Sequence, residues 1–314
     1  MRTAGTGAET PRVFALGPAA FGLISIAAGL VSLARFGWAP PRWGGLLYDP
    51  MGRFLDLDDP VDGVLTGHPF AQFTTSHGVL YPSGINYPPG AVPLLRLIAE
   101  IGIPQSRVCI CLATALSLAG LTWFIALARQ PQHIRLVGTA ISISGPVGLF
   151  LSLDAYATVS IVVGAVALSL AAIGYSGRAS TVLLGWIVAI SWSFPVAFAL
   201  DRMNIDLLVF AVMSATVILY LRHHRNFGAI GLGVSTAMKL YPVIIAVVEP
   251  NPARAWRRWG LALASGVGLT VVGWLMTEQS PASIISGFRT ALALVDQGYV
   301  CLLYTSPSPR DQRG

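Results

Sequence analysis

Long, nearly unbroken apolar blocks constrain this chain more than any other feature. The first runs from Val13 to about Phe36, and others cover approximately residues 108–128, 134–152, 157–174, 180–200, 205–221, 226–248 and 257–276. Runs of about 20 apolar residues span the hydrocarbon layer as helices, because only a helix or a closed barrel satisfies every backbone amide in lipid. Barrel strands would alternate apolar and polar residues, and these blocks do not. Composition agrees: 54% of the residues are hydrophobic and 11% charged, against roughly a quarter charged in an ordinary soluble domain. The predicted fold is all-α, a polytopic transmembrane helix bundle of about eight or more spans. The first block has no small-residue cleavage site before its polar flank, so it reads as a retained helix and not a signal peptide.

Loop charges set the orientation. RQPQHIR (129–135), GYSGR (174–178), RHHR (222–225) and PARAWRR (252–258) are basic and alternate with short segments around Asp154 and Asp201. Basic loops stay in the cytoplasm, which puts the N-terminus there too and the Asp segments outside. The net charge of +6 therefore reports membrane orientation; a nucleic-acid-binding face would cluster it on one surface. Because RHHR and PARAWRR both want the cytoplasm with one block between them, that block must cross twice or not at all. Lys239-Leu240-Tyr241-Pro242 interrupts it, and proline disfavours helix in the residue before it. Two half-helices, 226–238 and 243–249, are expected to form a re-entrant hairpin from the cytoplasmic side with Lys239 at its tip. Segment 38–88 becomes a long extracytoplasmic loop after the first helix, and 86–104 reads as an amphipathic helix at the outer interface.

Cys301 to Asp311 reads CLLYTSPSPRD, and one back-translation resembles a transposase adapter used in sequencing libraries. Residues 301–314 are therefore set aside as non-native, with residues 1–300 as one membrane domain whose natural chain is expected to continue past Val300. Cys109 and Cys111, two apart in an apolar block, point to different sides of a helix and cannot pair.

Three constellations can carry chemistry. Arg53 to Pro60, RFLDLDDP, is open to three readings: a solvated acidic loop with an N-cap before Pro60, a general base at the membrane surface, or a site for a hard divalent cation. No second ligand cluster supports a metal. In 194–206, Asp201 and Asn204 are three apart and share a helix face, while Asp206 enters the apolar block, where ionisable groups usually face a cavity or partner. The alternative is an interfacial cap with Asp201 and Arg202 as a neighbour pair. Lys239, the single lysine, either snorkels toward water or holds a phosphate as a point charge.

Phe54-Leu55-Asp56-Leu57, then Asn86-Tyr87-Pro88-Pro89, then ALDRMNIDLLVF (199–210), then AMKLYPV (237–243) occur in that order. The set resembles the bacterial membrane glycosyltransferases of the C superfamily, especially the family 87 mannosyltransferase-like proteins, over approximately residues 50–300. Met203 stands where a glycine is more usual. The resemblance implies an inverting enzyme of the bacterial cytoplasmic (inner) membrane that moves a mannose-like hexose, or a pentose, from a polyprenyl-phosphate donor. The acceptor would be a lipid or glycan hydroxyl at the outer face, for cell-envelope glycoconjugates. Asp56 would be the catalytic base. Arg53, Arg202 and Lys239 would face the leaving phosphate, and Asp58, Tyr87, Asp201 and Asn204 would complete substrate binding. Cofactor, metal and nucleic acid are not expected; a lipid-phosphate donor needs no P-loop or nucleotide-binding βαβ unit, and none is present. The rival from another class is a transporter or lipid flippase, which should show two related halves; no internal repeat is visible.

Overall fold

The computed structural model describes residues 9–36, 54–76, 87–175, 178–240 and 252–294, with 78, 80–81, 84–85 and 242 besides. Large apolar side chains lie exposed along its longest helices, including Phe14, Leu23 and Ile24 near one end of the chain and Leu263, Val271 and Leu275 near the other. Such faces would be costly in water and are neutral against lipid tails, which is how a membrane helix differs from a core helix. Among the described residues six segments are long and apolar enough to cross a membrane: Val13–Ala34, Ile103–Leu127, Gln132–Leu151, Ala157–Tyr175, Ala179–Arg202 and Trp256–Leu275. A hairpin of two short strands, β1 (Phe73–Thr74) and β2 (Leu80–Tyr81), is the only sheet among them. The all-α polytopic expectation therefore holds, and the chain is a multi-pass membrane protein.

The chain divides into two compact units, residues 1–50 with 111–201, and residues 51–110 with 202–314. In the first, α1 (Glu9–Phe36) packs along α6 (Tyr156–Tyr175). Gly22 and Gly164 make that packing close, since a Cβ on Gly22 would lie 2.6 Å from the Gly164 carbonyl oxygen. Small residues at such crossings replace the hydrophobic drive that lipid removes. Between α5 (Gln132–Leu151) and α7 (Ala179–Ser191), Leu127, Leu184 and Ile187 form a buried cluster with Ile134 and Ile141 packed on it. α4 (Ile103–Thr122) starts in the second unit and runs on through a π turn, Trp123–Leu127. The expected single span over 180–200 breaks into α7 and α8 (Phe194–Arg202), because Pro195 cannot donate the backbone bond that would continue α7.

The second unit holds α2 (Leu55–Leu65), α3 (Val92–Ile101), α9 (Asp206–Leu221), α10 (Arg225–Met238), α11 (Pro252–Leu275) and α12 (Pro281–Leu294). α3 buries Val92, Leu95 and Ile98 at spacing three and presents its other face outward, the amphipathic helix expected between 86 and 104. α9 and α10 are antiparallel neighbours: Ser235 Oγ lies 3.0 Å from Met213 Sδ, and Gly228 packs on Tyr220. At about 1.5 Å per residue α10 is about 21 Å long, short of the roughly 30 Å hydrocarbon layer. Arg258, near the start of α11, sits 6.0 Å over the Tyr220 ring at the end of α9. RHHR and the start of α11 therefore share one end of this unit. Cysteine labelling in intact cells should find 222–225 and 252–258 equally protected from an impermeant reagent. Opposite accessibility would rule out the hairpin topology. Its second half-helix, 243–249, lies outside the described residues, as do Arg53, Tyr241 and 301–314.

Candidate active site

The acidic segment is a helix and not a solvated loop. Phe54, in the left-handed region at φ 67°, turns the chain, and its carbonyl accepts the first bonds from the Leu57 and Asp58 N–H groups at 3.0 and 3.1 Å. Leu57, Val61 and Val64, at helical spacing, are buried, and they hold α2 down along its length. The predicted cap before Pro60 is thereby corrected: Pro60 sits inside α2. Having no N–H, it gives nothing to the carbonyl four residues earlier, which belongs to Asp56. The Tyr87 hydroxyl donates to that carbonyl oxygen at 3.3 Å.

The first three of the four carboxylates of α2 have separate surroundings. Asp58 and Asp59 are buried, and Asp58 forms an ion pair with Arg107 in the first turns of α4. The Arg107 guanidinium also lies 4.1 Å over the Phe54 ring, fixing the start of α2 from a second side. Asp56 is half-buried on another face. Among the described residues no three of His, Cys, Asp and Glu gather as a metal site.

Asp56 Oδ2 accepts a hydrogen bond from Asn204 Nδ2 at 3.2 Å. The amide is oriented by its other end, where Asn204 Oδ1 accepts the Asp206 N–H at 3.0 Å and caps the start of α9. With its oxygen engaged there, the NH2 group is left to face the carboxylate. This arrangement corrects the expectation that Asp201 and Asn204 share a helix face. α8 ends at Arg202, and Met203 adopts φ 50°, a left-handed turn that redirects the chain before Asn204. The same φ explains why glycine is more usual at this position. A methionine there is held in place by complete burial of its side chain.

Lys239 follows the last residue of α10 in an extended conformation. α10 stops there because the Pro242 ring would clash with the Met238 carbonyl four residues back. Since α9 and α10 are antiparallel, this helix end meets the start of α9. Lys239 Nζ lies 3.4 Å from Asp206 Oδ1 and 4.8 Å over the Tyr87 ring. Burial pushes the Asp56 carboxyl above the ordinary carboxylate range; Arg202, Lys239 and the Asn204 hydrogen bond pull it back only in part, and Asp206 adds to the rise. The result is a carboxylate of raised proton affinity, with the charges of Arg202 and Lys239 opposing the rise.

The second unit thus gathers Asp56, Tyr87, Arg202, Asn204 and Lys239 from the predicted set. Asp58 turns to Arg107, Asp201 is buried at the end of α8 in the first unit, and Arg53 is outside the described residues. Sequence reasoning missed Arg107, although an arginine at the edge of an apolar block carries a signal like the one that drew notice to Asp206. It also missed the bond between Tyr87 and the Asp56 carbonyl, which the unusual proline in α2 could have suggested. Beside this group, α10 and α11 frame an apolar cavity of about 1110 Å³ that runs from Pro88, Pro89 and Leu240 to Trp256 and Leu263.

No curated protein and no solved structure matches the chain. Residues 139–294 match the model of glycosyltransferase family 87, a span that includes Arg202, Asn204 and Lys239 and leaves Asp56 and Tyr87 outside it. Over residues 139–294, just under half of its length, the chain is similar to glycosyltransferase family 87.

Proposed function

We propose that the protein moves a mannose-like hexose, or a pentose, from a polyprenyl-phosphate donor to a lipid or glycan hydroxyl at the outer face of the bacterial cytoplasmic membrane, with its N-terminus in the cytoplasm. The carrying observation is the Asn204 hydrogen bond to Asp56, with the charges of Arg202 and Lys239 acting on the same carboxyl, beside an apolar cavity that begins at Pro88, Pro89 and Leu240, the chain neighbours of Tyr87 and Lys239. Asp56 accepts the proton of the acceptor hydroxyl while that oxygen attacks the anomeric carbon. The bond from that carbon to the phosphate oxygen breaks, and polyprenyl phosphate leaves with the electron pair, so the configuration inverts. Negative charge gathers on the leaving phosphate, where Lys239 and Arg202 lower the barrier. The cavity accepts an apolar donor tail, which a nucleotide sugar lacks. Arg53 and Asp201 are kept as further donor-binding groups.

Membranes holding the full-length protein, given a radiolabelled polyprenyl-phosphate mannose, should release polyprenyl phosphate and label a membrane acceptor. Transfer from a nucleotide sugar with no lipid-linked intermediate would overturn the donor assignment.

A further inference from the structure

We propose that Tyr87 is a positioning residue: its hydroxyl fixes the backbone of Asp56 and its ring holds the Lys239 ammonium, so one buried side chain sets the distance between carboxylate and cation. This rests on the proposed roles of Asp56 and Lys239. The hydroxyl half follows from Pro60. A helix carbonyl without its N–H partner is left for another donor, and Tyr87 reaches it at 3.3 Å from 31 residues away in the chain. The ring half follows from the 4.8 Å approach of Lys239 Nζ to the ring centroid, within the range of a cation–π contact.

Tyr87 can act as a strut because its own backbone is clamped. Pro88 and Pro89 follow it, Ala91 N–H bonds the Pro88 carbonyl at 2.9 Å, and Gly90 packs so closely on the last turn of α10 that a Cβ would lie 2.6 Å from the Ala237 carbonyl oxygen. The segment that carries Tyr87 is therefore docked, through Gly90, two positions before Lys239. Lys239 needs such a guide, since its four-carbon stem is flexible and Asp206 competes for it at 3.4 Å. With the ring gone, the ammonium would relax toward Asp206 and away from Asp56.

Dicyclohexylcarbodiimide, which reacts with protonated carboxyls, tests this without any sugar. Labelling of Asp56 in full-length protein in membranes is followed by peptide mass spectrometry as pH is varied. The charged groups that face Asp56 are Arg202, Lys239 and Asp206, with Asn204 as its hydrogen-bond donor; on its own helix Asp58 is paired with Arg107, and Asp59 and Asp62 complete the set. Lys239→Met should move the labelling midpoint to higher pH, and Tyr87→Leu should move it in the same direction. The double variant should move it no further than Lys239→Met alone, while Tyr87→Phe, which keeps the ring, should stay nearer the wild type. Full additivity of Tyr87→Leu and Lys239→Met would overturn the proposal, as would a shift with Lys239→Met and none with Tyr87→Leu. If the leucine variant fails to insert, the same cycle with Tyr87→Phe decides: its shift must vanish in the Lys239→Met background. Coupling without any sugar transfer would leave the positioning role standing and remove only the donor reading.

Discussion

Asp56→Asn is expected to lower transfer from a polyprenyl-phosphate sugar by about a hundredfold or more, with insertion and folding unchanged. The amide fills the same volume and can still bond Asn204 after a flip, but it cannot take a proton from the acceptor. Asp58→Asn should behave differently. Asp58 is buried and paired with Arg107, and breaking one side of a buried pair costs about 3–5 kcal/mol. The expected result is a lower melting temperature with the remaining folded protein still active per molecule. Thermal unfolding beside a transfer assay separates the two variants. Near-normal transfer in Asp56→Asn, with abolition in Asp58→Asn at unchanged stability, would mean that the wrong carboxylate had been assigned. If both variants kept activity, or the intact protein consumed no lipid-linked sugar, the transporter reading would take its place.

Lys239→Met should cost about a hundredfold in transfer, the usual loss when one preorganised group that meets developing charge is removed. It should also displace the pH profile, and the sign is fixed by the surroundings of Asp56. Burial holds that carboxyl above its ordinary range, and Lys239 is one of the groups pulling it down. Without the cation the carboxyl stays protonated to higher pH, the basic form appears later, and the acid limb of the rate profile moves upward. Rates measured across pH with saturating donor would show both effects. A hundredfold loss with an unmoved acid limb would place Lys239 on the phosphate alone; a moved limb with full rate at its plateau would confine Lys239 to tuning Asp56.

The spans were legible because lipid imposes one rule on every residue it touches, and a run such as Val13 to Phe36 can satisfy it only as a helix. The end of α10 was legible for a similar local reason, since Pro242 forbids helix whatever surrounds it. Asp206 stood out because ionisable groups at membrane depth are costly without a task, whereas Asp56 was singled out by its place in the family motif. Local spacing failed where a distant contact decided the outcome. Asp201 and Asn204 look like one helix face until Met203 adopts φ 50°, a conformation kept by burial of its side chain. The four aspartates of α2 look equivalent until Arg107, 49 residues away, claims Asp58 and leaves Asp56 to Asn204, 148 residues away. The sequence by itself determined the helices, their membrane setting and which residue types carry charge, because these follow from short-range sterics and solvation. Which carboxylate faces which cation was decided only by the tertiary fold that brings Arg107 to Asp58 and Asn204 and Lys239 to the side of Asp56, since a pairing energy exists only between groups that the fold has already brought within a few ångströms.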